Sequence, residues 1–189
     1  MTRIWLRIRR SARDLSGDTR GIAAIEFAMI VPLMLVLFFG TVEFSQGVAV
    51  DRKVTLMART LSDLTSQNIS VTDAQLTNIF NASTGIMTPY SASPLKSTIT
   101  ELYVDPTTKV ARVQWSKGDA PRGTGSTVAI PTALQVGGSY LIYSEVSYKY
   151  VPAVGYIMAK AGIDLSDFTY TRPRQSTCVM YNTTVCTTT

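Results

Sequence analysis

The chain has 189 residues, a length for one domain or one domain with an appendage. Hydrophobic residues make up 46% and charged residues 16%, against roughly 25% charged in an ordinary soluble chain, so part of it is expected to stay out of water. With no histidine and two cysteines, ordinary zinc sites, Ser-His-Asp triads and Cys-His dyads are excluded. The net charge of +5 divides into +4 over residues 1–20 and +1 over the rest; the basicity belongs to the N-terminus and implies no nucleic-acid partner.

The leader MTRIWLRIRRSARDLSGDTR carries six arginines and ends at Gly21. Residues 21–42, GIAAIEFAMIVPLMLVLFFGTV, then carry one charge, Glu26. As a helix they extend about 33 Å at 1.5 Å per residue, enough to cross a hydrocarbon core of roughly 30 Å. Starting after Glu26 leaves about 24 Å before Glu43, so a spanning helix must take Glu26 into the bilayer or its edge. Pro32 does not prevent this, because lipid-embedded helices tolerate proline. Arginines before the span and few basic residues after it place the N-terminus in the cytoplasm and everything from about Glu43 outside. A cleaved secretory signal is the rival reading; it would use a small-residue site such as Gly47-Val48-Ala49, but the apolar run exceeds the usual h-region.

Glu26 costs roughly 2.5–3.5 kcal/mol near the centre of a span, and less toward the interface. It either snorkels near the headgroups or has a cationic partner. Cleavage after Gly21 would free an amino group on Ile22 and make Glu26 the fifth residue of the mature helix. Ammonium and carboxylate from neighbouring helices would then neutralise each other.

Beyond the span, Val50, Val54, Met57, Leu61 and Leu64 form one apolar stripe, with Asp51, Lys53, Arg59, Ser62 and Asp63 off it. Barely two heptads are present, so packing on the chain's own sheet is expected rather than a coiled coil. The spacing predicts one long helix from about Ala23 to Ser66. A short second helix follows, with an N-cap at Ser70 or Thr72 and apolar Leu76, Ile79 and Phe80. Residues 81–97 read as a loop. Thr98–Val104 and Lys109–Trp115 read as a hairpin joined at Asp105. Gly118–Gly125 reads as a loop whose glycines lack the lysine of a phosphate cradle.

The clearest strand signal is Ser139–Val151, with Val146, Tyr148 and Tyr150 on one face and Glu145, Ser147 and Lys149 on the other. Val154–Ala161 reads as a short apolar helix or loop, core-packed or in contact with a partner. Asp167–Arg172 adds a strand. The order gives an α+β fold: a long N-terminal helix, transmembrane and continuing outward, packed on an antiparallel β-sheet of four or five strands with meander-like connections, a pilin-like arrangement. The divisions are a leader over 1–21, a transmembrane and extended helix over 22–67, and an outer α+β domain over 68–189.

Cys178 and Cys186 fall on the external side, where they most simply close a disulfide loop; free thiols or bonds to a partner are the alternatives. No catalytic constellation emerges. Glu26 and Glu43 would stand about 26 Å apart on a helix. Asp164 and Asp167 read as caps or turn residues, and Asn182 opens a glycosylation sequon that means little in a bacterial host. No cofactor motif is present.

The basic leader, the glycine, the IAAIEF run and the apolar helix resemble prepilin peptidase substrates of the type IV pilin class. The longer stretch RGIAAIEFAMIVPL from Arg20, with Gly40, Glu43 and Phe44, resembles the TadE/TadG-like proteins of the tight adherence (Flp) pilus system. YKYVP from Tyr148 and YTRPR from Tyr170 resemble that family's aromatic-proline strand and closing Arg-Pro-Arg strand. The resemblance implies processing between Gly21 and Ile22, with Glu26 and Phe27 serving assembly. It also implies a structural rather than enzymatic role as a minor pseudopilin or assembly component in the bacterial inner membrane. Other pilus subunits, the assembly platform and the peptidase would be its partners. An uncleaved bitopic envelope protein that scaffolds a secretion machine or binds a periplasmic ligand is the alternative.

Overall fold

The computed structural model describes residues 20–152 and 162–186. The leader before Arg20 and the apolar segment Val154–Ala161 lie outside the described residues. The chain divides into two compact units, Met1–Phe44 and Ser45–Thr189.

Helix α1, Arg20–Ser66, runs 47 residues with Pro32 inside it. Proline lacks an N–H, so the carbonyl of Ala28 loses its usual partner there. The helix ends where side chains take over its last carbonyls: Asn68 Nδ2 donates to Leu64 O at 2.7 Å and the Ser66 hydroxyl to Asp63 O at 2.8 Å.

In the second unit, α1 lies on a five-stranded antiparallel sheet. Val50, Val54, Met57 and Leu61 are fully buried, as their spacing predicts; Leu64 is half-buried. Ser62, placed off the stripe by its polarity, is also fully buried. Its hydroxyl donates to Ile142 O at 3.3 Å, and Ser144 donates to Ala58 O at 2.6 Å. These contacts set helix and strand in opposite directions.

After α1 come a two-residue strand, β1 (Ser70–Val71), and helix α2 (Asp73–Thr84). Thr72 and Gln75 form a capping box, Gln75 N–H to Thr72 Oγ1 at 3.3 Å and Thr72 N–H to Gln75 Oε1 at 2.9 Å. Leu76 is buried, with Ile79 and Phe80 packed partly against the core. The expected loop over 81–97 is shorter than its composition suggests. α2 runs to Thr84, a 3-10 turn (Gly85–Met87) buries Met87, and the next strand begins at Leu95.

The sheet holds β2 (Leu95–Val104), β3 (Ala111–Gly118), β4 (Thr127–Val128), β5 (Tyr140–Tyr150) and β6 (Ile163–Thr171), in the order β4-β3-β2-β5-β6. The β2–β3 hairpin turns at Asp105, whose Oδ1 accepts the N–H groups of Thr107 and Thr108, each at 2.8 Å. The connections do not all meander, because β5 returns to pair with β2, Tyr103 facing Tyr140, instead of with β4, the strand before it. Asp164 and Asp167 sit inside β6, opposite Lys149 and Val146, and so are strand residues rather than caps.

A bulge between Glu101 and Leu102 in the β2–β3 register changes which β3 residues face the helix. Trp115 joins the cluster under α1, whereas Ala111 and Val113 join a second cluster with Leu102, Val104, Ile130, Leu141 and Tyr143. β5 has the expected alternation: Val146, Tyr148 and Tyr150 are buried, and Lys149 is exposed.

A seventh strand, β7 (Met180–Tyr181), pairs in parallel with β1. It carries the C-terminal segment back across the end of α1, where Arg174 N–H donates to Ser66 O at 2.9 Å and the Arg174 side chain pairs with Asp63.

Candidate functional site

In the first unit the inward pattern of a core helix is missing. Ile22, Ile25, Phe27, Met29 and Ile30 are exposed, as are Leu33, Val36, Phe38 and Phe39. The most apolar stretch has a mean hydropathy of 2.5 and none of it is buried. Water would charge roughly 25 cal/mol for each Å² of such surface, so this face requires lipid or partner helices. One N-terminal apolar helix of this length and exposure suggests a membrane anchor.

Gly21 and Ile22 open this helix, and a Cβ at Gly21 would meet nothing within 4 Å. Glu26 is exposed one turn above Ile22, on the same side, and Phe27 beside it is 69% exposed. Glu43 shares the helix with Glu26, but a separation of seventeen positions holds the two carboxylates about 26 Å apart.

In the second unit, the strongest concentration of polar contacts joins the C-terminal segment to the helix-facing side of the sheet. Glu101 is 2% exposed. Its Oε1 accepts the N–H of Val179 at 2.6 Å, while Trp115 Nε1 donates to Val179 O at 2.8 Å. Both backbone groups of Val179 are thereby satisfied under the sheet. Burial pushes the Glu101 carboxyl up to about 8, with the Val179 and Trp115 donors opposing the shift.

A few residues on, Tyr181 donates its hydroxyl to Asp73 Oδ1 at 2.5 Å, and Lys117 approaches the same oxygen at 3.5 Å while standing over the Tyr181 ring. The Tyr181 bond, with help from Asn182 and Lys117, holds the Asp73 carboxyl below its ordinary range. Cys178, buried, is disulfide-bonded to Cys186 with the Cα atoms 6.0 Å apart. Asn182, the sequon residue, occupies a left-handed turn at φ 48° and donates to Asp73.

On the opposite side of the sheet, Arg122 from the glycine-bearing loop grips Glu145 with both ends of its guanidinium, at 3.1 and 2.6 Å. Tyr143 donates to the same carboxylate at 3.0 Å and stacks on Tyr170. Desolvation and the neighbouring Glu145 raise Tyr143 far above the usual phenol range. These groups close on one another.

The sequence gives no reading for Glu101, and ruling out a serine nucleophile for want of a Ser-x-x-Lys needs correction, since Ser93 to Lys96 has that spacing. Glu101 has a usable signal, since it shares strand parity with Ile99 and therefore its face. The Ser93 spacing matches a hydrolase motif, but Ser93 lies in a turn and Lys96 is exposed in β2. No helical turn brings the amine onto the hydroxyl.

Residues 21–61 match the family model for TadE-like proteins, consistent with a TadE/TadG-like protein of the Tad pilus system. The match begins at Gly21 and ends at Leu61, covering the exposed apolar stretch and the buried stripe of α1 up to that residue. No curated protein matches the chain, and no solved structure does.

Proposed function

We propose that the chain is a structural component of a tight adherence pilus, a minor pseudopilin or assembly factor held in the bacterial inner membrane by residues 22–42. The observation that carries this reading is a coincidence of position. The stretch matching TadE-like proteins contains the apolar stretch of α1 in which no side chain is buried. Residues 1–21 form the cytoplasmic leader, and the domain from 68 onward lies in the periplasm, where its cysteines would be oxidised.

Cleavage follows Gly21. The new amine on Ile22 then pairs with Glu26 of an adjacent subunit, which removes two costly charges from lipid together. Phe27 packs beside that pair against the neighbouring helix. The platform and the other pilus subunits meet the anchored chain, and the peptidase acts on its cytoplasmic edge. The role is assembly, with no reaction carried by the chain.

The intact mass and first residue of membrane-extracted protein test the processing step: the mature chain is expected to begin at Ile22, and Gly21→Ala to retain the leader. Glu26→Ala is expected to insert normally yet abolish piliation. Normal piliation in that variant would contradict the role given to Glu26.

A further inference from the structure

We infer that the end of the second unit nearest the membrane exit docks on phospholipid headgroups through a groove bounded by Tyr90, Lys149 and Val151. This rests on residues 21–42 spanning the bilayer, and it assigns a lipid-contacting surface outside that span. The groove is open, about 370 Å³, and is lined by Gln46, Tyr90, Ser91, Tyr148, Lys149 and Val151 among others.

Chain length bounds the distance of one lining residue from the span. Gln46 stands four residues after Val42, so even a fully extended chain keeps it within about 14 Å of the span's end. The ends of the neighbouring elements are fixed beside it, since Tyr150 stands against Gly47, where an added Cβ would lie 3.8 Å from its ring. β5 therefore finishes at this rim, with Lys149 exposed and Val151 51% exposed.

The chemistry of the rim suits the headgroup zone. Tyr90 is half-buried with its ring packed partly on the core, so its outer part alone faces the headgroup level, where tyrosine is enriched. Lysine lays its stem on apolar surface and presents its ammonium to phosphate. The Lys149 stem is confined here, because an added Cβ at Gly162 would come within 2.8 Å of Lys149 Cε. Val151 supplies a half-exposed apolar side chain. Asp164 faces Lys149 across the β5–β6 ladder, which favours zwitterionic headgroups, able to meet both signs, over a purely anionic surface.

The test uses the full chain in phosphatidylcholine vesicles brominated near the top of the acyl chain. Cys178 and Cys186 are paired, so one introduced cysteine takes a bimane label. Labels are placed separately at Val151→Cys, at Phe38→Cys within the span, and at Thr107→Cys in the β2–β3 turn. Thr107 lies near the Tyr140 end of β5, about 35 Å along the strand from Tyr150. Labels at 151 and 38 should lose most of their emission, and the label at 107 should keep it. Adding Tyr90→Ser and Lys149→Glu to the Val151→Cys chain should restore most of the emission at 151. Quenching at 38 with none at 151 overturns the docking surface while leaving the span intact. Absence of quenching at 38 overturns the span and this inference with it. Quenching at 151 that survives the double substitution removes Tyr90 and Lys149 from the contact and overturns the assignment.

Discussion

Glu101 is a carboxyl in the wrong medium, tolerated because Val179 gives it an N–H at 2.6 Å. Its folded value near 8 lies above its ordinary value of 4.5, so the folded chain holds a proton that the unfolded chain has released. The stabilising share is fully present below about 4.5 and is lost as pH rises through about 8. The loss amounts to a few kcal/mol, since each tenfold difference in proton affinity between the folded and unfolded chain corresponds to about 1.4 kcal/mol. Glu101→Gln keeps an oxygen for Val179 and has nothing to ionise. Thermal melts of the two proteins between pH 5 and 9 should diverge, the native chain falling and the variant staying nearly level; parallel curves would refute the assignment. Ser83 is the opposite case, a buried hydroxyl on α2 with no hydrogen-bond partner among the described residues. Ser83→Ala removes that desolvation cost and improves helix propensity. It should raise stability by about 1 kcal/mol in denaturant titrations.

At the scale of elements, the signals that could be read were those with a period or a local cap. The stripe Val50, Val54, Met57 and Leu61 states its own burial, and the cap candidates Ser70 and Thr72 place the start of α2 to within two residues, the structure choosing Thr72. Met57→Ala should therefore cost about 2–5 kcal/mol by the cavity it leaves, read as a shift in the unfolding midpoint. Other features left no such trace. β4, β1 and β7 have two residues each, too few for alternation to register. The β2–β5 pairing joins strands separated by two other strands, so no local turn announces it. Gly118 shows the same limit. It reads as a loop glycine, yet it ends β3 at φ 134°, with Ser97 O 2.2 Å from where a Cβ would stand. Alanine there meets backbone that has little room to move, on top of a strained dihedral. Gly118→Ala should destabilise more than alanine at Gly123, where the Cβ position is open; equal midpoints for the two variants would count against this close approach.

At the scale of the whole molecule, the N-terminal part of the chain was legible because lipid imposes a composition. Twenty-two residues with one charge announce a span more plainly than any fold announces its core. The C-terminal segment was not legible in this way, because its contacts reach residues more than sixty positions earlier. It touches α1 at Ser66, β1 through β7, α2 at Asp73, β2 at Glu101 and β3 at Trp115. The segment therefore straps the helical elements to the sheet, and the Cys178–Cys186 bond closes a loop within that strap. Loop-closure entropy for so short a ring gives about 2–3 kcal/mol. Paired Cys178→Ser and Cys186→Ser substitutions should lower the melting temperature by roughly 5–10 °C for a domain of this size. The loss should begin in the strap. In hydrogen exchange, the amides of Val179, Met180 and Asn182, which bond to Glu101, Ile69 and Val71, should lose protection before those of β2 and β5. If the strap amides and the central strands instead lose protection together, the strap does not open separately, and the disulfide stabilises the second unit as a whole.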